Sequence, residues 1–158
     1  MRYFLIDRIT EFTPGKTARG LKNVTLSDDI LNDHFPDFPI MPGALILESV
    51  SQLSGFLLEM SLNQPGQPLQ RALLVQVLNA KFYETSGPGD QLDIMVKLES
   101  TRESAARVSA VIECVGKRIA RAELTFVLRQ IDSERIHEQR RYLYKIWTRG
   151  LNPPPAIL

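Results

Sequence analysis

The stretch from Asn32 to Glu59, NDHFPDFPIMPGALILESVSQLSGFLLE, decides the fold of this chain. It begins polar, passes through a loop stiffened by Pro36, Pro39 and Pro42, and becomes a long apolar segment. Each proline fixes its own φ and restricts the residue before it, so the path onward from His34 is narrow. Pro42 suits the first helical position, where its missing N–H would have had no intrahelical partner. Leu45, Ile46, Leu47, Val50, Leu53, Phe56, Leu57, Leu58 and Met60 then spread all round the helix, which predicts burial on most sides. Glu48 and Gln52 interrupt it one turn apart, and Gly55 continues their face. A carboxyl group in a buried helix is expensive to desolvate and needs a partner or a task.

On the N-terminal side, Phe4–Ile9 reads as a helical turn or an entry strand, Pro14-Gly15 as a turn, and Lys16–Thr25 as the first strand. Ser27 is placed to cap a short helix over Asp28–Leu31 that delivers the chain to His34. On the far side, residues 63–68 (NQPGQP) form a loop that no helix crosses. Arg71–Tyr83 is rich in Leu, Val and Ala, too long and apolar for an edge, and reads as a central strand. Gln91–Ser100 alternates, with Leu92, Ile94, Val96 and Leu98 inward. Arg107–Val115 turns Val108, Ala110, Ile112 and Cys114 inward. Gly116 closes a hairpin onto Lys117–Gln130, whose inner face is Ala120, Ala122, Leu124, Phe126 and Leu128. The expected class is α+β, an antiparallel sheet curved around one buried helix. Its open edge and the apolar helix predict a homodimer or a larger assembly such as a trimer of dimers.

Ser133–Arg149 adds a second helix with Ile136, Tyr142, Leu143, Ile146 and Trp147 on one stripe, ended by Gly150 and three consecutive prolines. The chain therefore divides into a sheet-and-helix domain over residues 1–132 and a helical extension with tail over 133–158. Residues 1–132 carry 14 Lys and Arg against 16 Asp and Glu, while residues 133–158 carry 5 against 2. A basic extension on a faintly acidic body suits an acidic partner or an oligomer contact. The whole-chain net charge of +1 gives no reason to expect nucleic acid. Cys114, the only cysteine, reads as a buried core thiol. Met1-Arg2-Tyr3 leads into no secretory signal, and the apolar helix is interrupted by Glu48 and Gln52, so the expectation is a cytoplasmic protein without a membrane span. Pro14-Gly15-Lys16-Thr17 looks like the end of a phosphate-binding loop, but Thr10 stands where that motif needs glycine.

His34-Phe35-Pro36, Pro39-Ile40-Met41-Pro42-Gly43, Leu45-Ile46-Leu47-Glu48 and Gln52 together resemble the signature of the 3-hydroxyacyl-acyl carrier protein dehydratases of dissociated fatty acid synthesis. The likeness extends weakly to Leu5–Val24 and to the segment from Phe82 to Gln91, and fades after about Gln130. It departs at Asp37, where family members usually carry glycine. The resemblance implies the hotdog fold, no metal and no organic cofactor, an acyl carrier protein thioester as substrate, and a site where the His of one subunit meets the Glu of the other.

The chemistry asks for three groups. A base removes the C2 proton, for which His34 titrates in the useful range. An acid protonates the departing C3 hydroxyl, for which Glu48 suits if burial keeps it protonated. A donor stabilises charge on the thioester oxygen, for which the backbone N–H of Gly43 at the positive end of the helix suits. Gln52 would orient Glu48, and Pro42 would set the helix start. Phe35, Phe38, Ile40, Met41, Leu45 and Phe82 are candidates for the acyl channel. The rival reading, motivated by Asp37, is a hotdog module that binds acyl chains or acyl carrier protein without turning them over.

Overall fold

The chain before the long helix forms two strands in the computed structural model, which describes residues 3–158; Met1 and Arg2 of the opening segment lie outside the described residues. The six strands are β1 (Arg8–Thr13), β2 (Thr17–Asn23), β3 (Gln70–Phe82), β4 (Gln91–Arg102), β5 (Ala105–Cys114) and β6 (Lys117–Gln130). They pair antiparallel throughout, in the order β1-β2-β4-β5-β6-β3. Helix α1 (Gly43–Leu62) lies against β2, β3, β4 and β5, so the sheet curves round it. Helix α2 (Glu134–Thr148) follows the last strand.

The alternation read from the sequence sets the core. Across the sheet, Ile94 faces Ile112 and Ile112 faces Ala120, while Val96 faces Ala110 and Ala110 faces Ala122. All are buried, and they meet Val50, Leu53, Phe56 and Leu57 of α1, each fully buried. Gly20 of β2 marks a close approach: a Cβ there would lie 3.1 Å from the Arg8 carbonyl oxygen and 3.3 Å from Leu53.

Several sequence expectations need correction. Phe4–Ile9 is neither a helical turn nor a strand over most of its length: Tyr3–Asp7 is irregular, and β1 begins only at Arg8 and returns through Pro14 into β2. Only Ile9 of β1 is buried, and a bulge between Ile9 and Glu11 breaks its period, so the strand has little alternation to read. Arg71–Tyr83 is not a central strand. β3 pairs with β6 alone and is an edge, with Leu73, Leu74, Val75 and Val77 between 41% and 56% exposed. An apolar strand signals that something covers it, and periodicity cannot say whether the cover comes from the same chain.

Pro42 is the N-cap of α1, and Gly43 holds the first helical position. The short helix is a single 3-10 turn over Asp29–Asn32, and the Ser27 hydroxyl bonds Thr25 instead of capping it. Helix α1 is buried on one side only, with Leu47, Glu48, Ser51, Gln52 and Gly55 half-buried. On α2 the buried stripe is His137, Leu143, Tyr144, Trp147 and Thr148, whereas Tyr142 and Ile146 face solvent. Cys114 is half-buried at the end of β5, and burial still pushes its thiol up from the ordinary value.

Candidate functional site

His34 is positioned by its own loop. The Phe35 and Phe38 backbones bond each other at 2.9 Å in both directions, and the Ile40 N–H donates to the His34 carbonyl at 2.8 Å. The His34 Nδ1 lies 2.9 Å from the Ile40 carbonyl oxygen, which can only accept, so Nδ1 carries the proton and Nε2 keeps its lone pair. Asp37 adopts φ +61°, the left-handed conformation that glycine favours and Asp tolerates. With that conformation at Asp37 the loop closes on itself through the Phe35–Phe38 pair. Its far end is tied to the next turn, because Met41 N–H donates to the Ser86 carbonyl at 2.7 Å.

The helix that follows opens with free donors. The Pro42 carbonyl accepts from Leu45 and Ile46, while the Gly43 and Ala44 N–H groups donate to no backbone carbonyl among the described residues. A Cβ on Gly43 would lie 2.9 Å from the Phe82 ring, so only glycine admits that ring against the helix start.

Five residues on, Glu48 accepts a hydrogen bond from the Gln52 amide at 3.0 Å. The same amide donates to the Tyr3 carbonyl, and its oxygen accepts the Leu5 N–H, each at 3.0 Å. This fixes which way Gln52 points, and the N-terminal segment thereby orients Glu48. Two adjoining cavities reach Glu48, both sharing Gln52, Arg140 and Trp147 in their walls, and neither includes His34. Within one protomer the two candidate acid–base groups thus face different spaces.

The channel candidates are scattered. Phe35 stacks on the His34 ring with centroids 4.3 Å apart, and both Phe35 and Phe38 are exposed. Ile40 is half-buried, and Met41 and Leu45 line a separate small cavity with Val24 and Leu31. Among the described residues no three His, Cys, Asp or Glu side chains gather as a metal site.

Sequence reasoning missed the most buried charge. Glu59, 3% exposed, accepts from the Arg71 guanidinium at 2.7 Å, the Tyr144 hydroxyl at 2.7 Å and the Ala72 N–H at 3.0 Å. Arg71 also donates to His137 Nδ1, and His137 Nε2 donates to the Ile131 carbonyl at 2.9 Å. Burial, then the Glu59 charge, pushes the Tyr144 phenol well above its ordinary value. The partners lie up to 85 positions apart, so no local pattern announced the cluster. The signal available was Glu59 itself, a carboxylate among Leu57, Leu58 and Met60.

A sequence profile described as a FabA-like domain matches residues 1–123. The chain belongs to this family. It is 36% identical over 126 residues to the 3-hydroxyacyl-[acyl-carrier-protein] dehydratase FabZ of Bacillus velezensis, covering 80% of this chain and 87% of that protein. The FabZ of Bartonella quintana is 40% identical over 126 residues, covering 80% of each. Among solved structures, a hot-dog-like protein from Thermanaerovibrio acidaminovorans superposes with a TM-score of 0.62 at 20% identity, covering 84% of this chain and 92% of that one. The fold is therefore the hotdog fold. Helix α2 lies beyond the stretch that the FabA-like profile matches.

Proposed function

We propose that this member of the FabA-like family dehydrates (3R)-3-hydroxyacyl-acyl carrier protein thioesters to trans-2-enoyl thioesters in fatty acid or related lipid synthesis, with His34 as base and Glu48 as acid. The observation that carries the roles is the tautomer of His34: with Nδ1–H held by Ile40, the neutral ring presents Nε2 as its proton acceptor. The thioester oxygen sits at the Gly43 and Ala44 N–H groups, where the helix dipole stabilises developing negative charge. His34 Nε2 takes the C2 proton, and the electrons of that bond form the C2–C3 double bond. The C3–O bond breaks, and the hydroxyl leaves as water with the proton from Glu48, which Gln52 holds in position.

His34 and Glu48 face different spaces within a protomer, which supports a site built across a homodimer. The β3 edge offers unpaired backbone and exposed Leu73, Leu74, Val75 and Val77, so pairing of two β3 edges gives the dimer its contact. A trimer of such dimers is the larger assembly compatible with this reading. The protein works in the cytoplasm with acyl carrier protein as its partner.

The test is the appearance of enoyl absorbance when purified protein meets a 3-hydroxyacyl thioester. His34→Ala and Glu48→Gln each lower kcat by at least about a hundredfold. Unchanged rates in both variants would remove these roles.

A further inference from the structure

We infer that the compartment between α1 and α2 holds the distal end of the acyl chain, and that Arg140 makes it select chains ending in a carboxylate. The inference rests on the dehydratase reading, which places the thioester carbonyl at Gly43 and C3 near Glu48. The chain then continues past Gln52 toward Gly55 and Glu59, and at 1.5 Å per residue Gly55 lies about 10 Å beyond Glu48. The structure leaves room along this line. Glycine inside a helix costs about 1 kcal/mol relative to alanine. Yet a Cβ at Gly55 would have nothing within 4 Å, so the missing side chain leaves open space.

Helix α2 roofs that space with Tyr144, Trp147 and Arg140. Arg140 lines both cavities that reach Glu48, and a third beside Arg141. Its Nε is buried without a hydrogen-bond partner, and it forms no ion pair among the described residues. The nearby carboxylate of Glu59 already accepts from Arg71, Tyr144 and Ala72. A half-buried guanidinium whose Nε has no partner, set in the wall of a cleft, favours an anionic, planar partner. A carboxylate at the far end of the substrate meets that requirement, and a methyl terminus leaves the guanidinium unsatisfied.

The experiment compares kcat/KM for two medium-chain 3-hydroxyacyl thioesters of equal length, one ending in methyl and one in carboxylate. The wild type should favour the carboxylate on the order of ten- to a hundredfold. In Arg140→Leu, and in Arg140→Gln, which keeps a polar group without charge, that ratio should collapse toward one. Gly55→Leu should lower kcat/KM increasingly as the chain is lengthened. A ratio equal in wild type and both Arg140 variants, or a chain-length profile that Gly55→Leu does not change, overturns the inference. If the wild type dehydrates no thioester, the dehydratase reading fails on its own. Calorimetry with a free medium-chain dicarboxylate and its monocarboxylate analogue then decides: dicarboxylate preference lost in Arg140→Leu supports the compartment, and equal binding rejects it.

Discussion

Replacing Arg71 with methionine should destabilise the protein by about 3 kcal/mol. Arg71 and Glu59 are 2.7 Å apart with side chains 5% and 2% exposed. Removing one partner of a buried pair generally costs 3–5 kcal/mol, because the remaining charge stays in a medium of low polarity. Glu59 keeps the Tyr144 hydroxyl and the Ala72 N–H, which places the loss near the low end. For a domain of this size that corresponds to a fall in Tm of about 6–12 °C. The assay is urea unfolding at one fixed protein concentration, which holds any contribution of association constant. Trp147, the only tryptophan, sits on α2 beside Tyr144, so its fluorescence reports whether the extension is docked. Adding Glu59→Gln to Arg71→Met should recover about 1–2 kcal/mol, since the stranded charge is then gone. A loss below about 1 kcal/mol for Arg71→Met, or strict additivity in the double variant, would refute the reasoning.

Three further outcomes follow from single positions. The Tyr144 phenol is pushed up in the fold, so folding favours its protonated form. Its contribution is complete below the ordinary tyrosine value of about 10 and lost as pH rises above it. Urea melts should therefore weaken above about pH 10, and Tyr144→Phe should flatten that alkaline decline while costing about 1–2 kcal/mol at neutral pH. Val115 and Gly116 both have positive φ in the two-residue turn between β5 and β6, and Val115 is 98% exposed. Val115→Asn should raise stability by about 1 kcal/mol in thermal melts, since asparagine accepts this conformation and a β-branched residue resists it. Asp37→Gly should leave turnover within about twofold, because Asp37 already holds the left-handed conformation. Activity created from a silent wild type would instead favour the non-catalytic reading.

The fold was legible where burial imposed a period. β4, β5 and β6 each bury one face in the core, and their alternation marked the inward residues and the span of β6, while β4 runs on to Arg102 and β5 spans Ala105–Cys114 rather than Arg107–Val115. Helix α1 was legible from its length and apolar content, yet its half-buried side was not. Residues such as Leu47 look alike whether a sheet, a tail or a partner covers them. β1 was placed too early, over Phe4–Ile9 and only as an alternative to a helical turn, because one buried residue makes no pattern, and β3 was misplaced because apolar content reports coverage without its source. In the candidate site, the proline-locked loop pointed to His34, and Glu48 stood out on an apolar helix. The Glu59 cluster and Arg140 depend on α2 folding back over α1, a tertiary event that local spacing does not encode.

The most direct test of an acid–base pair shared between subunits is to mix two inactive variants. His34→Ala and Glu48→Gln are purified separately, unfolded, refolded together and assayed for enoyl formation. Random pairing makes half of the dimers mixed, and each mixed dimer has one intact site of two, so about a quarter of wild-type activity should return. If the mixture stays as inactive as its parents while sedimentation shows that mixed dimers have formed, His34 and Glu48 do not act together across the interface.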